Sequence, residues 1–89
     1  MRVKVKMSII NKIRAELEFH SGHSDWTVTS LGFGHGWLVY IDDEEIALLL
    51  RHKRKRVLQV TLEATGSILR FGYTDYAQAC ERITQEVRC

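Results

Sequence analysis

The period of the apolar positions changes several times along the chain, and each change marks an element boundary. Ile10, Ile13 and Leu17, with Ile9 alongside, recur at helical spacing while Asn11, Lys12, Arg14, Glu16 and Glu18 face away. This predicts a helix from Ile9 to about Phe19, with Ser8 as its cap. His20-Ser21-Gly22-His23 ends it, since Gly22 can take the left-handed cap conformation. Trp26 to Leu31 is rich in Thr, Val and Trp and reads as a strand. After Gly32, Gly34 and Gly36, Trp37 to Asp42 reads as a second strand and completes a hairpin. Further on, Val57, Gln59 and Thr61 alternate with Leu58, Val60 and Leu62. Ala64-Thr65-Gly66-Ser67 then turns the chain into a strand from Ile68 to Tyr73. Thr74 or Asp75 caps a final helix that puts Tyr76, Cys80, Ile83 and Val87 on one side and Gln78, Glu81, Arg82 and Gln85 on the other.

Between these stretches, residues 43–56 admit two readings. As a helix, the segment has Asp43, Glu44 and Glu45 in its first turn, Ile46, Leu49 and Leu50 on one face, and cations at the end where the helix dipole favours them. As a strand, Ile46 to His52 pairs back on Trp37 to Asp42, and its unbroken apolar run suits a central position buried on both faces. The Asp-Asp-Glu-Glu turn that the strand reading needs contains no glycine. Periodicity alone leaves the segment open.

Together the elements predict one α+β domain over residues 1–89. Its antiparallel sheet is a meander of about four to five strands, with an N-terminal and a C-terminal helix packed on one face. Met1 to Met7 alternates charged and apolar residues and reads as an edge strand or a basic arm. The order helix, three or more strands, helix is similar in layout to double-stranded RNA-binding domains. Such domains use a lysine-rich start to the last helix, whereas this one opens Thr74-Asp75-Tyr76-Ala77, so the likeness ends at layout and no family is identified.

Charge changes the picture more than composition does. The formal net charge is only +2, but it is arranged in blocks. Arg2, Lys4, Lys6, Lys12 and Arg14 precede any acid; Asp42, Asp43, Glu44 and Glu45 form an acidic run; Arg51, His52, Lys53, Arg54, Lys55 and Arg56 follow it. Five permanent cations in one loop, Arg51, Lys53, Arg54, Lys55 and Arg56, are the candidate contacts to nucleic acid, with an expected salt slope of about −4.5. Asp42, Asp43, Glu44 and Glu45 are the alternative, a surface for a basic protein partner. A solvated turn is the plain reading of either block.

Catalytic and cofactor chemistry finds little support. Gly32-Phe33-Gly34-His35-Gly36 lacks the following helix and the lysine of the phosphate-binding motifs and is expected to form a bend or bulge. His20, Ser21, His23 and Asp25 hold the residue types of a hydrolytic triad, but consecutive loop positions do not supply its geometry. No histidine or cysteine spacing fits structural zinc, so neither metal nor cofactor is expected. Cys80 and Cys89 lie too far apart on one helix to be bridged, which suits a reducing, cytoplasmic setting. No apolar run reaches the ~20 residues of a membrane span. Trp26, Trp37, Tyr40 and Tyr73 are expected in the sheet core rather than on a binding platform. The expectation is therefore a small non-catalytic binding module for nucleic acid or a nucleoprotein. The alternative is a protein-binding regulator or inhibitor of the kind mobile elements encode, with homodimerisation through a sheet edge also open.

Overall fold

A computed structural model describes residues 8–32 and 35–87. The reading of residues 1–7 as edge strand or arm lies outside these residues, as do Phe33, Gly34 and Cys89. Helix α1 (Ile9–Ser21) is followed by β1 (Trp26–Ser30), β2 (Gly36–Ile41), β3 (Glu44–His52), β4 (Val57–Leu62), β5 (Ile68–Gly72) and helix α2 (Tyr76–Thr84). The five strands form one antiparallel meander in the order β1-β2-β3-β4-β5. Both helices cover the same side of it.

The helix ends form where the residues allow them. The Ser8 hydroxyl accepts the Asn11 N–H at 3.2 Å, which satisfies a donor the first turn leaves free. Gly22 adopts φ +77° and its N–H donates to the Glu18 carbonyl at 2.8 Å, closing α1 in the left-handed cap that glycine takes without strain. Next to this cap, the Ser21 hydroxyl accepts the indole N–H of Trp26 at 2.7 Å, which ties the helix terminus to the start of β1. At the other helix, Asp75 is the cap, accepting the Gln78 N–H at 3.5 Å.

The core lies between the helices and one sheet face. Ile13 and Leu17 of α1 and Tyr76, Ala79, Cys80 and Ile83 of α2 pack onto Trp26, Val28, Trp37, Val39, Ala47, Leu49, Leu58, Val60 and Leu62. All these side chains are buried, as a two-layer α+β domain requires. Cys80 is a free thiol inside this core, and burial, with Glu16 adding repulsion, pushes its pKa up to about 12. It is not poised as a nucleophile.

The disputed segment is strand, not helix. β3 pairs with β2 through Trp37↔Leu49 and Leu38↔Leu48, and with β4 through Leu49↔Val60 and Leu48↔Thr61. The turn that sequence seemed to lack is made by Asp42 and Asp43, at φ +51° and +66°, between the paired Ile41 and Glu44. Two consecutive left-handed residues are the signature of a type I′ hairpin. Aspartate tolerates that conformation better than most residues with a Cβ, so glycine is not required. The apolar run from Ile46 to Leu50 also has a physical cause. The β2–β3 register shifts between Val39↔Ala47 and Tyr40↔Glu45, which leaves Ile46 without an opposite partner, and it packs with the core. Ala47 and Leu49 then point to the helices and Leu48 and Leu50 to the other face.

Two smaller expectations are corrected. Tyr40 is half-buried on the helix-free face, one residue out of phase with the buried Val39, and Tyr73 is half-buried just past the end of β5, so neither is core. The glycine-rich stretch is not uniformly a bend. Gly32 has φ +109°, but Gly36 is the first residue of β2 and is fully packed. A Cβ at Gly36 would come within 2.8 Å of Leu50 Cδ2 and 3.1 Å of the Leu49 carbonyl oxygen, so a side chain here would make Leu50 swing aside and crowd the β3 backbone.

Candidate nucleic-acid interface at the β3–β4 hairpin tip

The basic block closes the β3–β4 hairpin. His52 and Val57 form the last pair, and Lys53, Arg54, Lys55 and Arg56 make a four-residue tip. The Arg56 N–H donates to the Lys53 carbonyl at 3.3 Å, and Arg56 itself sits at φ +55°. All four tip residues are exposed. Among the described residues the ion pairs are His20 with Glu16 and Arg82 with Glu86, so no carboxylate neutralises the tip.

Arg51, grouped with the tip by sequence, is in a different environment. Strand alternation puts it on the same face as Ala47 and Leu49, toward the helices. Its guanidinium lies 5.6 Å from the Trp37 ring centroid and 5.1 Å from that of Tyr73, and it donates to the Tyr76 hydroxyl at 3.2 Å. Arg56 covers Tyr73 at 5.3 Å, and the Lys12 ammonium stands 5.7 Å over Tyr76. Trp37 meets Tyr76 edge to face, with centroids 6.1 Å apart. These aromatic and cationic groups brace the β3 end, the β5–α2 junction and α1 against one another. Arg51 is thus half-buried and engaged. Sequence reasoning singled out neither Tyr76 and Lys12 as part of this assembly nor Tyr73 as a platform for arginine. The available signal was parity, because a strand that buries Ala47 and Leu49 must turn Arg51 the same way.

The acidic block sits at the other end of the same strand. Asp42, Asp43 and Glu44 are exposed, and Glu45 is half-buried. Glu44 and Glu45 join Glu63 and Glu86, with Ile46 and Val87, around a cleft of about 310 Å³. One of these carboxylates, Glu86, is paired with Arg82. The nine residues of β3 separate the two blocks by about 30 Å, nearly four Debye lengths of about 8 Å at physiological salt. The tip therefore keeps its positive field despite a net charge of only +2.

The other candidate groups do not assemble. His20 ends α1, with its Nε2 3.4 Å from Glu16 Oε1, while His23 and Asp25 are exposed beyond the cap. Among the described residues, no three His, Cys, Asp or Glu side chains converge as metal ligands, and no helix is long and apolar enough to cross a membrane. Compared with known proteins, the chain matches no family model, no curated protein and no solved structure.

Proposed function

We propose that this domain is a binding module that takes nucleic acid at the β3–β4 tip. The observation that carries the reading is the set of exposed cations, Lys53, Arg54, Lys55 and Arg56, held at a hairpin end, with no carboxylate among the described residues paired to any of them. A two-stranded ribbon has the width that a B-DNA major groove admits. Lys and Arg at its end contact phosphates on either side, which gives affinity with little base discrimination. With Arg51 engaged by Trp37, Tyr73 and Tyr76, four contacts remain, and the expected salt slope falls to about −3.6.

Fluorescence anisotropy of labelled duplex DNA, duplex RNA and single strands, titrated with the protein over a range of salt, tests this. Wild type should bind with a slope near −3.6, losing roughly 150-fold in affinity between about 50 and 200 mM salt. The quadruple variant K53E/R54E/K55E/R56E should not bind. Wild-type-like binding by that variant would remove the tip from the site, and no binding at low salt would end the reading.

The carboxylate-lined cleft at the opposite end favours a second reading, a regulator that docks a basic protein partner on Asp42, Asp43, Glu44 and Glu45. A stoichiometric partner that co-purifies with wild type and is lost on D42K/D43K/E44K/E45K distinguishes it.

A further inference from the structure

Among the described residues nothing covers the sheet face opposite the helices, and it is largely apolar. Thr29, Leu38, Leu48, Thr61 and Ile68 are paired in succession and form one row across all five strands. Leu50 lies in the next row between Gly36 and Gln59, and Tyr40 on the other side is paired with Thr27 and Glu45. Ile68 is 52% exposed and Leu31, beside Gly36, 51%. Among the paired strand residues, charge on this face is confined to Arg70, on an edge strand, and Glu45, at the acidic end. Central leucines facing water on an open sheet mark a surface that is covered in use.

We propose that a second copy of this chain covers it, in a face-to-face dimer whose two-fold axis runs across the strands. The face and its two charged ends are self-complementary. A two-fold axis across the strands keeps each strand over its own symmetry mate but reverses its direction. The Lys53 to Arg56 tip of each copy then lies over the end of the other copy that carries Asp42, Asp43, Glu44 and Glu45. An axis along the strands would instead set four cations against four cations. Five strands about 4.8 Å apart and roughly six residues long give a flat footprint near 480 Å², short of the roughly 800 Å² per partner of a stable interface, so a stable dimer needs contacts beyond the flat face. The reversed orientation brings two charge-complementary ends together there. The dimer does not rest on nucleic-acid binding, although both use the tip.

Sedimentation equilibrium of the full chain without nucleic acid tests the proposal. Wild type at tens of micromolar should show twice its 10.3 kDa mass, and the dimer should weaken as salt rises from about 50 to 500 mM. Leu48→Gln should leave a monomer with an unchanged circular dichroism spectrum. Should that central-strand change disturb folding, Ile68→Gln, at an exposed edge position, should still weaken association severalfold. Reversing the tip (K53E/R54E/K55E/R56E) or the acidic end (D42K/D43K/E44K/E45K) should weaken association tenfold or more, and an equimolar mixture of the two variants should restore it. A wild type that stays monomeric at low salt, or a dimer indifferent to both Leu48→Gln and Ile68→Gln, overturns the interface. A dimer that strengthens with salt, or that tip reversal leaves intact, overturns its orientation. Neither Leu48→Gln nor Ile68→Gln touches a tip cation, so anisotropy with these variants separates failure of the dimer from failure of the nucleic-acid reading.

Discussion

Strand β3 ends in two turns built on opposite principles. At its start, Asp42 and Asp43 make the shortest hairpin connection, with both residues held in left-handed backbone. At its end, Lys53 to Arg56 make a four-residue tip with a single left-handed residue, Arg56. The acidic turn concentrates charge in a small volume beside further carboxylates, whereas the basic tip carries its charge outward on long side chains. A meander sends consecutive turns to opposite ends of the sheet, so charge blocks only a strand's length apart in sequence become the two poles of the molecule. Blockwise charge in a hairpin sequence is therefore information about direction.

The difference between the poles can be attacked in order of expected effect. Leu49→Ala, at the fully buried middle of β3, removes the strut between them and should cost about 3–4 kcal/mol, read by chemical denaturation. Arg51→Ala leaves the Tyr76 hydroxyl and the Trp37 ring without their cation and Tyr73 with Arg56 alone, and a loss of about 2 kcal/mol is expected in the same measurement. Alanine at Lys53 or Lys55 should not alter stability, but each should lower the magnitude of the salt slope for nucleic acid by about 0.9. Asp42→Asn should leave that slope where it is. One change is a gain: Asp43→Gly relieves a left-handed residue at φ +66° and should raise stability by about 1 kcal/mol. Failure of this last change to stabilise would mean that the Asp43 carboxylate makes a compensating contact.

Much of the fold was legible because period and caps agreed. α1, the β1–β2 pair, the β4–β5 hairpin and α2 all follow from alternation or helical spacing with Ser8, Gly22 and Asp75 at the boundaries. β3 was not legible, for two local reasons. Its entry turn uses aspartate where glycine is the usual signal, and the same acids are what a helix N-terminus would carry. A register shift adds Ile46 out of turn, and Leu48 and Leu50 on the helix-free face are as apolar as Ala47 and Leu49 on the other, so Ile46 to Leu50 shows no period of two. The candidate site depended on that one segment. Grouping Arg51 with the tip was natural for a loop, and only the strand assignment turns its side chain inward against Trp37 and Tyr76. The bare face was hidden as well, because a run of leucines in a central strand looks like burial on both sides.

The two tryptophans stand at different poles, Trp26 hydrogen-bonded to Ser21 where α1 meets β1, and Trp37 beneath the Arg51 guanidinium near the basic tip. The molecule thus carries an intrinsic fluorophore for each end. In a Trp26→Phe background the remaining emission reports on the indole coupled to the tip through Arg51, and in a Trp37→Phe background on the helix–strand junction at the acidic end. Occupancy of one pole can then be followed by spectral shift without any added label, with the other serving as the internal reference.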